Sequence, residues 1–123
     1  MNSYFAFKIL HALGAFYLFA ALGAVVVGRL RAGEAAPPKD RAYKLSGMTH
    51  GIALLLILVA GFGVLGIQRL EFGLWVWLKL AIWLLLAASI AVVRRSPRWA
   101  GLLWWLLPLL GAAAVWLCLA KPG

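Results

Sequence analysis

The sequence predicts an all-α membrane protein, an antiparallel up-down bundle of four transmembrane helices. The chain has 123 residues, of which 66% are hydrophobic and only 12% are charged, against about 25% charged residues in soluble domains. Its apolar residues form four long runs, and a helix needs about 20 such residues to cross the hydrocarbon core. A chain of this size has too little interior to bury that much apolar surface by itself.

The four spans are predicted at about residues 4–27, 47–67, 72–93 and 100–120, which together make one transmembrane domain over 1–123. Lipid offers the backbone no hydrogen bonds, so each span must be a helix or a barrel strand. Long apolar runs without alternation indicate helices. Gly47 and Gly51 form a G-x-x-x-G pair in the second span, a spacing that favours close helix contacts.

The links between the spans predict the orientation. The second and third links are short, which places successive helices antiparallel. Basic residues gather in the first and third links: Arg29, Arg31, Lys39, Arg41, Lys44, Arg94, Arg95 and Arg98. Because cytoplasmic loops carry an excess of Lys and Arg, both termini are predicted to be extracytoplasmic. The net charge of +9 therefore predicts that the basic residues contact the anionic headgroups of the lipid bilayer, and not nucleic acid.

Lys8, His11 and Lys79 are ionisable side chains inside the predicted spans, and they are the candidate site. Lys8 and His11 are three residues apart and share a helix face. His11 and Lys79 each lie about 10 Å from the start of a span that begins on the outer side. The three should therefore occupy one layer in the outer half of the bundle, where ionisable residues usually face the interior or a cavity. The nearest carboxylate, Glu71, starts in an outer link, so an anionic ligand such as a porphyrin propionate suits this layer better.

Each of these residues also has a simpler interpretation. Lys8 and Lys79 can extend to the headgroups, and His11 can bond a backbone carbonyl in a packed interior. His50 is interpreted as interfacial, and Cys118 as an apolar filler. His50 lies about 15–20 Å from the height of His11, which is too far for both imidazoles to bind one iron. The second axial position of a haem at His11 would then be open, held by water, or filled by a residue such as Lys79.

Two segments resemble motifs of a known group of proteins. Lys8-Ile9-Leu10-His11 and Trp75-Val76-Trp77-Leu78-Lys79-Leu80 are similar to motifs of small four-helix membrane proteins of bacteria. That group includes the haem-associated protoporphyrinogen oxidase, copper-resistance protein D and SirB-type families. In the oxidase family the first-span histidine and the later-span lysine are functional, which implies roles for His11 and Lys79. Residues 21–27 depart from that family, which has proline and arginine near this point.

Two functions of different class follow. The resemblance implies a protein of the bacterial inner (cytoplasmic) membrane that binds haem b, a porphyrin or a metal. His11 would be the metal ligand, Lys8 and Lys79 would pair with carboxylates, and a redox or porphyrin-handling role would go with the cofactor; no catalytic residue is identified. The alternative is a non-catalytic small subunit or scaffold of a larger membrane complex, or a homo-oligomer. The convergence of three residues on one layer favours the cofactor.

Overall fold

The described residues, 3–36, 38–69 and 71–121 of the computed structural model, form four α-helices. The helices are α1 (Ser3–Ala32), α2 (Arg41–Gln68), α3 (Leu74–Arg95) and α4 (Pro97–Ala120). All four are long and apolar enough to cross a membrane, so the prediction of an all-helical chain with four candidate spans is confirmed. Three of the helices are longer than the predicted spans, and α1 and α2 take in basic residues that the sequence analysis assigned to the first link.

Local sequence accounts for the helix ends. α1 ends at Gly33, whose backbone is left-handed (φ +57°) and whose amide donates to the carbonyls of Arg29 and Leu30 at 3.1 and 3.3 Å. Glycine adopts this conformation without strain, which suits it to a helix C-terminus. α4 begins after Ser96, whose hydroxyl accepts a hydrogen bond from the Trp99 amide. Pro97 at the first helical position needs no amide partner.

The core lies along the second half of α1. Leu18, Leu22, Val25 and Val26 are buried there, with accessibilities of 0–1%. Side chains of all three other helices complete this cluster: Tyr43, Ala53, Leu54, Leu86, Val93, Ala100 and Leu107. α1 is therefore the helix around which the other three pack.

α1 and α2 approach each other closely at Gly14. A β-carbon at this position would lie 2.8 Å from Ile57 Cγ1 and 3.2 Å from the Ile57 amide nitrogen. Gly28 in turn lies against the ring of Tyr43. Gly51, by contrast, faces open space, so the expected close contact of the Gly47–Gly51 pair is wrong at Gly51.

Side chains also join the helices through backbone carbonyls. His50 Nε2 donates to the Leu86 carbonyl at 3.1 Å, and Trp83 Nε1 donates to the Leu54 carbonyl at 3.0 Å. Both bonds connect α2 to α3. His50 is only 3% exposed, and its imidazole is an internal link between helices. The interfacial level expected for it in the membrane stays a prediction. Buried polar groups need such partners where no water is present.

Among the described residues, Arg29 is a buried cation: its side chain is only 3% exposed. Its Nη1 donates to the Arg94 carbonyl at 2.9 Å, and its Nη2 donates to the carbonyls of Gly33 and Ala35. The guanidinium therefore caps the C-terminal ends of α1 and α3 together, where a positive charge is favourable. The sequence analysis counted Arg29 as a link residue, but it is part of the interior.

Substituting Gly14 tests the contact between α1 and α2. Gly14→Ala should lower the free energy of unfolding by about 1–3 kcal/mol, because the new methyl group meets the α2 backbone. Gly51→Ala is the matched control, since nothing lies within 4 Å of its β-carbon position. Unfolding in mixed micelles, followed by circular dichroism, measures both. Equal stability of the two variants would contradict the close approach.

Substituting Arg29 tests the double cap. Arg29→Gln should cost about 2 kcal/mol or more, because hydrogen bonds from a charged group contribute about 1.5–3 kcal/mol each. Arg95→Gln, which neutralises an exposed arginine in the last turn of α3, should change stability little. The same unfolding assay compares them, and an unperturbed Arg29→Gln would show that the guanidinium supports neither helix end.

Candidate functional site

One cavity of about 200 Å³ brings the three predicted site residues together. Lys8 and His11 line it from α1, and Lys79 lines it from α3. α4 contributes Cys118, and Lys121 lies just beyond the end of that helix. We call this the Lys79 cavity. It lies at the end of the bundle where α1 begins and α4 ends.

The His11 imidazole is held by α2. Its Nδ1 lies 2.8 Å from the carbonyl oxygen of Ile57. A carbonyl can only accept a hydrogen bond, so Nδ1 carries the proton and a neutral ring has its lone pair at Nε2. Gly61 makes room for the ring, because a β-carbon there would lie 3.1 Å from His11 Cε1. Histidines that bind metals have this same arrangement, in which the second ring nitrogen donates to a fixed acceptor.

No hydrogen-bond partner of His11 Nε2 occurs among residues 3–36, 38–69 and 71–121. The ring is half-buried and lines the Lys79 cavity. The simpler interpretation, a histidine bonded to a backbone carbonyl, describes Nδ1 correctly. It leaves Nε2 available for a ligand.

Lys79 is fixed inside the bundle by α4. Its Nζ donates to Cys118 Sγ at 2.7 Å, and the side chain is partly buried. Lys8 lies at the exposed rim, with its Nζ 3.0 Å from the Tyr4 hydroxyl. Lys121 is also exposed, and its Nζ lies 5.6 Å from the centre of the Trp75 ring. The cavity thus has one internal amine and two at its mouth.

The charge of the Lys79 cavity determines which kind of ligand would suit it. Three amines line it, and the described lining residues include no carboxylate. Glu71, the nearest carboxylate in the sequence analysis, is exposed and is not part of this lining. Like charges repel strongly where the dielectric constant is low. An anionic ligand would relieve this repulsion, and a bare metal cation would increase it.

Comparison with known proteins adds no relative. No family model matches the chain, and no curated protein or solved structure matches it either. The resemblance to the haem-associated oxidase group therefore stays a prediction carried by the two motifs around His11 and Lys79.

A metal site made by the protein alone is not found in the described part of the chain. No group of three or more His, Cys, Asp or Glu side chains there is placed to hold a metal ion.

His50 takes no part in the Lys79 cavity. Seven residues of α2, about 10 Å along the helix, separate it from Ile57, which marks the level of His11. Its Nε2 is already bonded to the Leu86 carbonyl. This separation of about 10 Å is shorter than the roughly 15–20 Å expected from the sequence. The two imidazoles are bonded to carbonyls of different helices, that of Ile57 in α2 and that of Leu86 in α3.

Cys118 also lines the cavity. The sequence predicts an apolar filler there, or a distant candidate for the second axial position, yet its sulfur accepts the Lys79 hydrogen bond. Its position near the end of α4 places it at the same end of the bundle as the start of α3. Counting residues from the end of α4 as well as from the start of α3 would place Cys118 near the level of Lys79. A count of charged residues alone does not include it.

The two histidines should differ in tautomer. We expect His11 to be protonated at Nδ1 and His50 at Nε2, because each of these nitrogens faces a carbonyl oxygen. Nitrogen-15 NMR of histidine-labelled protein, at a pH where both rings are neutral, distinguishes the two forms. His50→Gln assigns the signals by removing one of them. An Nε2-protonated His11 would contradict the Ile57 hydrogen bond.

Proposed function

We propose that the chain is an integral membrane protein of the bacterial inner membrane, an antiparallel up-down bundle with both termini outside the cytoplasm. The contacts between α1 and α2 support this topology: residues 14 and 28 of α1 lie against residues 57 and 43 of α2, so the partner numbers fall as those of α1 rise. The joint cap of α1 and α3 by Arg29 supports parallel placement of these two helices. The basic residues at that end support its assignment to the cytoplasm.

We further propose that the protein binds haem b or a related porphyrin through His11, with the ligand's carboxylates at Lys8 and Lys79. One observation carries the proposal: the Ile57 carbonyl fixes Nδ1 of His11 and leaves Nε2 for a ligand in a cavity with three amines. The neutral imidazole suits an axial position on iron. The amines suit propionates, because such ion pairs strengthen away from water.

The size of the cavity limits how such a ligand is held. Pockets that bury most of a drug-sized molecule have volumes of about 300–1,000 Å³, and the Lys79 cavity has about 200 Å³. A porphyrin would therefore extend past the exposed rim at Lys8 and Lys121. A bound haem would supply one-electron chemistry. The described residues contribute ligand binding and charge, and none of them is assigned a catalytic role.

The haem proposal is tested by absorption spectroscopy. Protein purified from haem-replete cells, or titrated with haemin in detergent, should show a Soret band. His11→Ala should weaken haemin binding at least tenfold, because it removes the axial nitrogen, whereas His50→Gln should keep the band. A colourless parent protein whose haemin titration equals that of His11→Ala would overturn the proposal.

The role of the amines is tested with a modified ligand. Lys79→Met should weaken binding of haemin about fivefold or more, because it removes a charge partner of a propionate, while binding of haemin dimethyl ester should be unchanged. Lys44→Met, on an exposed lysine remote from the cavity, is the control. Equal loss for both ligands would show that Lys79 acts on folding and not on the carboxylates.

A second candidate function is that of a subunit or scaffold in a larger membrane complex. The exposure of α4 favours it: Trp105 is 74% and Leu119 is 81% exposed, and the buried residues of this helix are only Ala100, Leu107 and Leu117. Such a face suits lipid as well as a partner helix. Purification in a mild detergent distinguishes the two, because a subunit retains a stoichiometric partner that Trp105→Ala weakens and His11→Ala does not.

A further inference from the structure

A second cavity lies along the other half of α1. It has a volume of about 680 Å³ and follows α1 from Phe19 to Arg31. Trp104 of α4 also lines it, and Tyr43 and Ser46 line it from the first turns of α2. We call it the α1 groove. It shares no lining residue with the Lys79 cavity.

Small residues of α1 keep the groove open. Ala20, Gly23 and Ala24 line it, and a β-carbon on Gly23 would come only within 3.9 Å of Trp104. The thirteen residues from Phe19 to Arg31, with twelve rises between them, span about 18 Å of helix. This length is close to the roughly 15 Å of hydrocarbon in one leaflet. The groove thus has the apolar lining and the length that suit an acyl chain.

One end of the groove is polar and positively charged. Arg31 and Asp40 line this end. One further guanidinium group, that of Arg94, lies 5.7 Å from the centre of the ring of the groove residue Tyr43. Asp40 can offset one of these two positive charges. The end of the groove therefore keeps an excess of positive charge.

Two buried polar atoms at this end have no hydrogen-bond partner in the described part of the chain: the hydroxyl of the groove residue Tyr43, and Nε of Arg94 beside the Tyr43 ring. Tyr43 is only 8% exposed, so bulk water has little access to its side chain. A buried charge is costly unless an opposite charge and hydrogen bonds accompany it. A phosphate group supplies a negative charge and several acceptor oxygens.

We propose that the α1 groove binds one anionic phospholipid, with an acyl chain along α1 and the headgroup at Arg31 and Tyr43. Basic sites between transmembrane helices recognise anionic headgroups in this way. The proposal depends on the membrane placement described above and is independent of the haem. A neutral phospholipid would fill the apolar part equally well, so the charge at the headgroup end decides the preference.

Native mass spectrometry of the full chain, delipidated in detergent, tests the proposal. Dioleoyl phosphatidylglycerol and dioleoyl phosphatidylcholine are the two probes. We expect one phosphatidylglycerol retained per chain in preference to phosphatidylcholine. Arg31→Gln should reduce this preference about fivefold, the factor that one basic residue near the membrane surface contributes. Arg98→Gln, an exposed basic residue outside the groove lining, should leave it unchanged.

A second pair of variants tests the apolar part. Ala24→Phe fills the groove from an exposed position and should abolish the retained lipid, whereas Ala91→Phe, on an exposed alanine of α3 outside the groove, should keep it. Ala20→Leu serves the same purpose should circular dichroism show that Ala24→Phe does not fold. His11→Ala should retain the lipid, which separates this proposal from the haem site.

Two results would overturn the proposal. One is equal retention of the two phospholipids by the parent protein. The other is equal retention of phosphatidylglycerol by the folded groove-filling variant and by Ala91→Phe. A delipidated dimer that Ala24→Phe dissociates, without any phospholipid preference, would assign the groove to a second copy of the chain and would also overturn it.

Discussion

The contact of α1 with α2 at Gly14 and Ile57 determines the geometry on which the rest of the structure depends. It brings the two backbones close enough for the His11 imidazole to reach the Ile57 carbonyl. Because α2 is thereby fixed against α1, its other side can meet α3 through His50 and Trp83. Membrane helices gain little from apolar contact alone, so close packing and interhelical hydrogen bonds carry the association.

Polar groups are few in this chain, and most of those inside it are bonded to backbone carbonyls. Two histidines, a tryptophan and an arginine donate across helices in this way. Each such bond satisfies a donor that would otherwise be buried without a partner. Each histidine has one ring nitrogen bonded to a carbonyl, but only the His11 ring lines the Lys79 cavity. This placement, and not the presence of a histidine as such, separates a candidate ligand from a structural link.

Positive charge gathers at both ends of the bundle, for different reasons. At one end, three amines surround a cavity without a carboxylate, which favours a ligand that brings negative charge. At the other end, Arg29 caps two helices through backbone carbonyls, and Arg31 lines the α1 groove. Part of the net charge of +9 thus belongs to these two ends of the bundle.

The sequence by itself determined the number of helices, their approximate bounds and the common level of Lys8, His11 and Lys79, because hydropathy and rise per residue depend only on the order of residues. Tertiary structure decided what the order of residues does not contain. Cys118 meets Lys79, His50 becomes an internal link, and Arg29 moves from a link to the interior, since each depends on which helices are neighbours and how they are rotated. Helix rotation is weakly encoded in spans that are apolar on every side, so the partners of these polar side chains emerge only when the four helices pack together.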